Sequence, residues 1–173
     1  MITFRIEKFL KEAPEGLQRK FAYACANRAL YRYAVQALRE AEDSDSETWI
    51  LRAQPQIRNR KSATAAADVV RGVLETIGDK PLGSGRTGVD SYQIVRNVLS
   101  SIEGARDIGK AEKSSLGASD AALIHKGISG RREEIRKQEE WIRSNWTRPL
   151  PTQETLAAVD AYIADGLLLG DGE

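Results

Sequence analysis

Residues 14–42, which read PEGLQRKFAYACANRALYRYAVQALREAE, decide the fold class of this chain. The segment opens with a proline, which suits the first turn of a helix, and its apolar side chains recur every three or four residues. This spacing predicts one long amphipathic helix. The stripe comprises Leu17, Phe21, Ala24, Arg28, Tyr31, Val35 and Leu38, with the arginine at its centre.

Arg28 is the unusual member of that stripe. A guanidinium that faces a core must bond a carboxylate or several backbone carbonyls, or it must reach water. The preferred interpretation is a structural arginine that bonds a buried carboxylate or helix-end carbonyls. The alternative is an arginine in a cleft, where it meets an acidic group on a partner or ligand.

Helical spacing continues on both sides of this segment. Thr3 is a suitable cap for a short first helix. Ser46 is a suitable cap for a helix that carries Trp49, and Pro55 should kink or stop that helix. A further helix is predicted from about residue 56 to residue 77.

The clearest loop is residues 78–91, GDKPLGSGRTGVDS. Asp90 with Gln93 resembles a capping box that opens the next helix, which should fade near Gly117. A following helix is predicted to start at Ser119 or Asp120 and to end before the prolines at 149 and 151. Its apolar stripe is Ile124, Ile128, Ile135 and Ile142.

A last helix is predicted to begin at Thr152, and residues 170–173 should form a mobile tail. No segment shows sustained alternation of period two, and no repeat recurs at a fixed interval. We therefore predict an all-α fold, an irregular bundle of six or seven helices in a single domain over residues 1–169.

Composition narrows the classes of function. The 173 residues carry a net charge of +1, so overall charge favours neither nucleic acid nor a basic partner. One cysteine, Cys25, and one histidine, His125, leave no pair for a disulfide or for a His/Cys zinc site. No apolar run suits a membrane span, and the charged N-terminus does not resemble a signal peptide. We predict a cytoplasmic protein without metal, cofactor or membrane partner.

Carboxylates at helical spacing point to an alternative function, because magnesium-dependent nucleotide hydrolases hold their metal in this way. Glu133, Glu134, Glu139 and Glu140 form two such pairs. Arginines and lysines interleave them, so a solvated face with ion pairs such as Glu139–Arg143 is the preferred interpretation. A small magnesium-dependent nucleotide hydrolase is the first alternative.

A basic run near Trp49 points to a second alternative, an accessory nucleic-acid-binding protein. Basic side chains beside an aromatic ring contact phosphates and bases. The run consists of Arg52, Arg58, Arg60 and Lys61. Cys25, by contrast, lies on an alanine-rich face and is predicted to be a packed small side chain rather than a reactive thiol.

The pattern F-x-x-x-C-A-x-R at residues 21–28, followed by Leu30 and Tyr31, comes after a short amphipathic helix. This arrangement resembles the opening of small all-helical bacterial families, which include predicted cytoplasmic immunity proteins of polymorphic toxin systems and similar helical proteins of unknown role. The resemblance implies an all-helical protein that neutralises a toxin by occluding it, without catalytic residues.

The first hypothesis is therefore a non-catalytic protein-binding module, either an immunity-type inhibitor or another defence- or phage-related protein. Its partner is another protein, such as a cognate toxin, and a homodimer is left open. Loops and helix ends should form the partner surface by shape and charge complementarity. The candidate partner-binding residues are Arg28, Asp43, Asp45, Glu47, Arg86 and Trp146.

Overall fold

The computed structural model describes residues 2–78 and 87–146, with the backbone alone at 87–90. Within these ranges the chain forms six helical segments and no strand, which confirms the all-α prediction. α1 is Phe4–Glu12, α4 is Ala63–Gly78, α5 is Thr87–Arg106 and α6 is Ala111–Asn145. α2 joins Glu15–Arg28, the π-helical Ala29–Val35 and Gln36–Glu40, and α3 joins Ser44–Ile50, the 3-10 turn Leu51–Ala53 and Gln54–Arg58.

The first two helices begin where the sequence predicts. The Thr3 hydroxyl accepts a hydrogen bond from the backbone N–H of Ile6 at 3.4 Å and so caps α1. Pro14 directly precedes α2, which confirms the long helix expected over 14–42. The seven residues Ala29–Val35 within it are π-helical rather than α-helical, which the apolar spacing did not indicate.

α3 begins three residues earlier than predicted. Asp43, not Ser46, is the cap, since its Oδ1 accepts a hydrogen bond from the Ser46 N–H at 3.3 Å. A 3-10 turn at Leu51–Ala53 comes just before Pro55, which lies in the first turn of Gln54–Arg58. Pro55 therefore interrupts regular helical geometry without ending the segment, because proline has no N–H to donate.

The predicted boundaries in the second half were wrong. Asp90 lies inside α5, which begins at Thr87, so it does not open that helix. α5 ends at Arg106 rather than near Gly117, and the chain turns at Gly109, whose φ is 76°. Ser119 lies inside α6 and does not start it.

Glycine and serine allow α5 and α6 to approach closely. A β-carbon at Gly117 would lie 2.6 Å from the backbone oxygen of Asn97, so no larger residue fits without movement. The Ser101 hydroxyl donates to the Ser114 carbonyl at 2.8 Å, and the Ser114 hydroxyl donates to the Ser101 carbonyl at 2.6 Å. These paired bonds satisfy polar groups in a buried contact.

α6 folds back on itself. Lys126 (φ −133°, ψ 16°) and Gly127 (φ 71°, ψ −159°) are not helical. Gln138 nevertheless bonds Ser115, 23 residues away, whereas those residues would be about 35 Å apart along a straight helix. Residues 111–125 and 128–145 therefore form an antiparallel helical hairpin, which we call the α6 hairpin.

The core is continuous and takes buried apolar side chains from all six segments. α5 packs against α2, α4 and α6, and α6 also packs against α1 and α2. The stripe predicted for the later helix is partly wrong. Ile142 is buried and Ile135 half-buried, but Ile124 and Ile128 lie at the exposed tip of the α6 hairpin, because the turn at Gly127 changes the buried side.

Several predictions lie outside the described residues. They are the helix starting at Thr152, the tail 170–173, the site residue Arg86 and most of the loop 78–91. Among the helices that are described, none combines the length and apolarity needed to cross a bilayer.

Two candidate functional sites

The first candidate site is a buried network centred on the carboxylate of Glu134, whose side chain is fully inaccessible to solvent. Its Oε1 accepts from Arg28 Nε at 3.0 Å and from the Tyr33 hydroxyl at 2.9 Å. Its Oε2 accepts from Arg28 Nη2 at 2.9 Å and from Gln138 Nε2 at 2.8 Å. The arginine thus holds the carboxylate with two parallel hydrogen bonds, the strongest geometry for this pair.

This network corrects one sequence interpretation and explains another. Glu134 was predicted to lie on a solvated face, yet it is buried. Arg28, whose side chain is 18% exposed, has the buried carboxylate that its position on the stripe required. The Glu139 carboxylate also differs from expectation, since it bonds Arg5 of α1 at 2.9 Å and not Arg143.

The π-helical segment places Arg28 and Tyr33 on the same side of α2. In an α-helix, side chains five residues apart point about 140° away from each other. A π-helix bonds residues five apart, which brings such side chains into near alignment. Both therefore reach Glu134, and no sequence signal distinguished this segment from an ordinary helix.

Gln138 extends the network across the α6 hairpin. Its amide oxygen accepts from the Ser115 hydroxyl at 2.5 Å, and its amide nitrogen donates to the Ser115 carbonyl at 3.2 Å. The Ser119 hydroxyl lies 3.4 Å from the same nitrogen. The two arms of the hairpin and α2 are thus tied together by polar contacts around one acid.

Burial sets the electrostatics of this region. Burial alone lowers the pKa of Arg28, but the hydrogen bonds and charge of Glu134 outweigh it and raise that pKa overall. Burial, followed by the charge of Glu134, raises the pKa of the Tyr33 hydroxyl above its ordinary value. Burial also raises the pKa of the Cys25 thiol, which agrees with its predicted role as a packed side chain.

His125 lies at the edge of the network. Its ring is 6.2 Å from that of Tyr33, and its Nε2 is 3.2 Å from Glu40 Oε1. Its Nδ1 is buried and has no hydrogen-bond partner among the described residues. One ring nitrogen of this histidine therefore has a carboxylate neighbour and the other has none among the described residues.

The second candidate site is an exposed surface on α3 and α4, which we call the Trp49 surface. Trp49 is 48% exposed, and the Arg52 guanidinium lies 4.2 Å above the centre of its ring. The indole Nε1 rests on α4, 3.9 Å from where a β-carbon would stand at Gly72. Beside the ring is a depression of about 300 Å³, lined by Asp45, Ser46, Trp49, Val73 and Thr76.

The basic run extends from this surface to the corner between α3 and α4. Arg58, Arg60 and Lys61 are all exposed, and we call them the cationic corner. Neither they nor Arg52 form an ion pair within residues 2–78 and 87–146. By contrast, Arg39 pairs with Glu47 at 3.2 Å, and Arg71 of α4 pairs with Asp68 at 3.0 Å.

The predicted partner residues occupy different places. Asp45 is exposed in the depression, whereas Asp43 caps α3 and Glu47 pairs with Arg39. Trp146 is half-buried, with its ring 5.4 Å from that of Phe9 in an aromatic cluster. Arg28 belongs to the buried network, so the structure does not bring it to the Trp49 surface.

No three acidic, histidine or cysteine side chains of the described chain converge as a metal-holding group. Comparison with protein-family models, with curated proteins and with solved structures finds no match to this chain. The two sites must therefore be interpreted from their own geometry.

Proposed function

We propose that this chain is a non-catalytic protein-binding module that contacts its partner through the Trp49 surface. The observation that carries the proposal is a half-exposed tryptophan with an arginine stacked on it, beside a depression. Tryptophan and arginine are the residues most enriched among those that dominate binding energy in protein interfaces. A single exposed leucine or isoleucine would not carry this argument.

The buried network supports the fold rather than partner contact. All four acceptor positions of the Glu134 carboxylate bond groups of the chain itself. If the Glu134 carboxylate turned away from those donors to contact another molecule, the Arg28 guanidinium would be buried without a counter-ion, which is strongly unfavourable. We therefore assign Arg28 to the structural interpretation and exclude it from the proposed interface.

A toxin is the partner class that the sequence resemblance suggests, and a cytoplasmic location is part of that hypothesis. The residues that carry the resemblance are mostly internal, since Phe21, Cys25 and Leu30 are fully buried. They account for how α2 packs. Tyr31, in contrast, is exposed. The identification of a toxin as the partner rests on the resemblance alone.

Site-specific photo-crosslinking in the source cell tests the proposal. A photoreactive phenylalanine analogue replaces Thr76, an exposed residue at the edge of the depression. The control carries it at Arg132, which is exposed on the α6 hairpin. We expect one defined protein adduct from position 76, absent from position 132 and lost when Trp49→Ala is added. An adduct that survives Trp49→Ala, or no adduct, would overturn the proposal.

One observation favours a second candidate, nucleic-acid binding. Arg52, Arg58, Arg60 and Lys61 are exposed and form no ion pair among the described residues, and Arg52 stacks on an exposed aromatic ring. Basic side chains with an aromatic ring are a combination used to bind single strands. This candidate predicts a nucleic-acid adduct at position 76 and affinity that falls steeply with salt. The magnesium-dependent hydrolase has no specific observation in its favour among the described residues.

A further inference from the structure

We propose that the partner presents an acidic protein segment to the Trp49 surface. One carboxylate of that segment pairs with Arg52, an adjacent apolar side chain enters the depression, and further carboxylates face the cationic corner. This inference rests on the proposed function and adds the chemistry of the partner to it.

The argument begins with Arg52. Stacking on the Trp49 ring at 4.2 Å holds the guanidinium in one orientation, and a stacked guanidinium still presents its N–H groups around its edge. Those donors match the two oxygens of a carboxylate. Nearby Arg39 and Arg71 already have carboxylate partners within the chain, whereas Arg52 has none in its described part. Its capacity for an ion pair is therefore available to another molecule.

The cationic corner is within the length of a short extended segment from Trp49. Trp49 rests on α4 at Gly72, and α4 begins at Ala63, immediately after the corner. Nine residues of helix span about 14 Å, a distance that four or five extended residues cover. Four or five extended residues held at Arg52 are thus long enough to reach the start of α4, where Lys61 lies. Because residues at every second position of an extended segment face the same side, one apolar side chain with acidic side chains two and four positions away would satisfy both the depression and the cations.

Three features favour an acidic protein over nucleic acid. Arg52 already covers one face of the Trp49 ring, so a base must displace it to stack there. Asp45 lines the depression and repels a partner carboxylate as it does a phosphate, so the group that enters must be uncharged, and Val73 and Thr76 offer apolar contact to an aliphatic side chain. The net charge of the whole chain is only +1, which gives little of the long-range attraction typical of nucleic-acid binders.

Fluorescence anisotropy with the full chain tests this chemistry, using three labelled probes of equal length. They are a peptide with one leucine among glutamates, the same peptide with lysine in place of glutamate, and oligodeoxythymidine. We expect the glutamate peptide to bind at least tenfold more tightly than either other probe. Arg52→Glu should weaken that binding about tenfold, since an attractive contact becomes repulsive. The matched control Arg32→Glu, an exposed arginine of α2, should not.

Circular dichroism must show that both variants keep the wild-type helix content. Tighter binding of the lysine peptide, absence of glutamate-peptide binding, or equal effects of Arg52→Glu and Arg32→Glu would each overturn the inference. Preferential binding of oligodeoxythymidine that Arg52→Glu abolishes would replace it with the nucleic-acid candidate. The photo-crosslinking experiment separates this inference from the proposed function. If one of these results is obtained but position 76 still gives a protein adduct that depends on Trp49, the proposed function stands and only the acidic chemistry of the partner is rejected.

Discussion

Two arginines of this chain show how the same side chain serves different ends in two regions of the molecule. Arg28 lies in the core between α2 and the α6 hairpin, where both its Nε and Nη2 bond one buried carboxylate. Arg52 lies on the surface of α3 and stacks on an exposed ring, with no carboxylate partner in the described chain. The charge of Arg28 therefore stabilises the fold, whereas the charge of Arg52 is available to another molecule.

The difference shows how burial distinguishes a charged side chain that stabilises the fold from one that can bind a partner. Isolating a charge from water is costly unless it is paired and fully hydrogen-bonded. An arginine that is mostly buried must therefore have its partner inside the fold. An exposed arginine carries no such requirement, so one held in place by an aromatic ring is better placed to contact another molecule.

Replacing each of the two arginines by alanine is the most direct test of the difference between them. Arg28→Ala should reduce the free energy of unfolding by about 3–5 kcal/mol, because it leaves the fully buried Glu134 carboxylate without its counter-ion. Arg52→Ala should change it by no more than about 1 kcal/mol, the size of an exposed cation–π contact. Urea unfolding followed by circular dichroism measures both.

Similar losses in the two variants would contradict the distinction between structural and available charge. Glu140→Gln is a further control, since Glu140 is exposed on the same arm of the α6 hairpin as Glu134. We expect it to stay within about 0.5 kcal/mol of wild type. A large effect there would show that charge on this arm matters irrespective of burial.

The core arginine was foreseeable from sequence, but its partner was not. The stripe on α2 placed Arg28 in the interior, and elementary electrostatics required an acid near it. Glu134 is 106 residues away and is surrounded by arginines and lysines, so its local pattern is that of a solvated face. Only the turn at Gly127, which reverses the chain and rotates the buried side, brings it inward.

A substitution at Gly127 is the next test, because the turn at this residue orients the arm of the α6 hairpin that carries Glu134. Its φ of 71° and ψ of −159° belong to a region that is essentially restricted to glycine. Gly127→Ala should therefore cost about 1–3 kcal/mol of unfolding free energy, although a β-carbon there would meet no atom within 4 Å. Thermal and urea unfolding give the value.

Gly16→Ala is the matched control. A β-carbon at Gly16 also meets nothing within 4 Å, but this residue lies in the first turn of α2 with no positive φ. Alanine there should be neutral or stabilise by up to about 1 kcal/mol, since it restricts the unfolded chain. If both variants behave alike, backbone strain at Gly127 does not hold the hairpin turn.

Sequence reasoning came closer to the surface site than to the network. The acidic residues Asp43, Asp45 and Glu47 and the basic run were singled out separately as candidates, and both groups lie on or beside α3. What the sequence did not indicate is that Arg52 stacks on Trp49 or that Val73 and Thr76 of α4 complete a depression. Those contacts depend on how α3 packs against α4, which helical periodicity does not determine.

The smallest expected effect is that of Tyr33→Phe. Its dependence on pH tests whether the Tyr33 hydroxyl is held by the buried carboxylate. Tyr33→Phe removes one of four hydrogen bonds to Glu134 and should cost about 1–2 kcal/mol at neutral pH. Burial raises the pKa of Tyr33 in the folded state, whereas the unfolded phenol ionises near its ordinary pKa of about 10. Above that pH the unfolded chain releases a proton that the folded chain retains.

The unfolded state then binds fewer protons than the native state, so the stability of the wild type falls as pH rises, by up to about 1.4 kcal/mol per pH unit for this group. Phenylalanine has no such proton, and the gap between wild type and Tyr33→Phe should narrow from pH 9 upward. Tyr31→Phe, at an exposed tyrosine two residues away, should stay within about 0.5 kcal/mol of wild type at neutral pH. Equal behaviour of the two variants would mean that the Tyr33 hydroxyl is not held by the buried carboxylate.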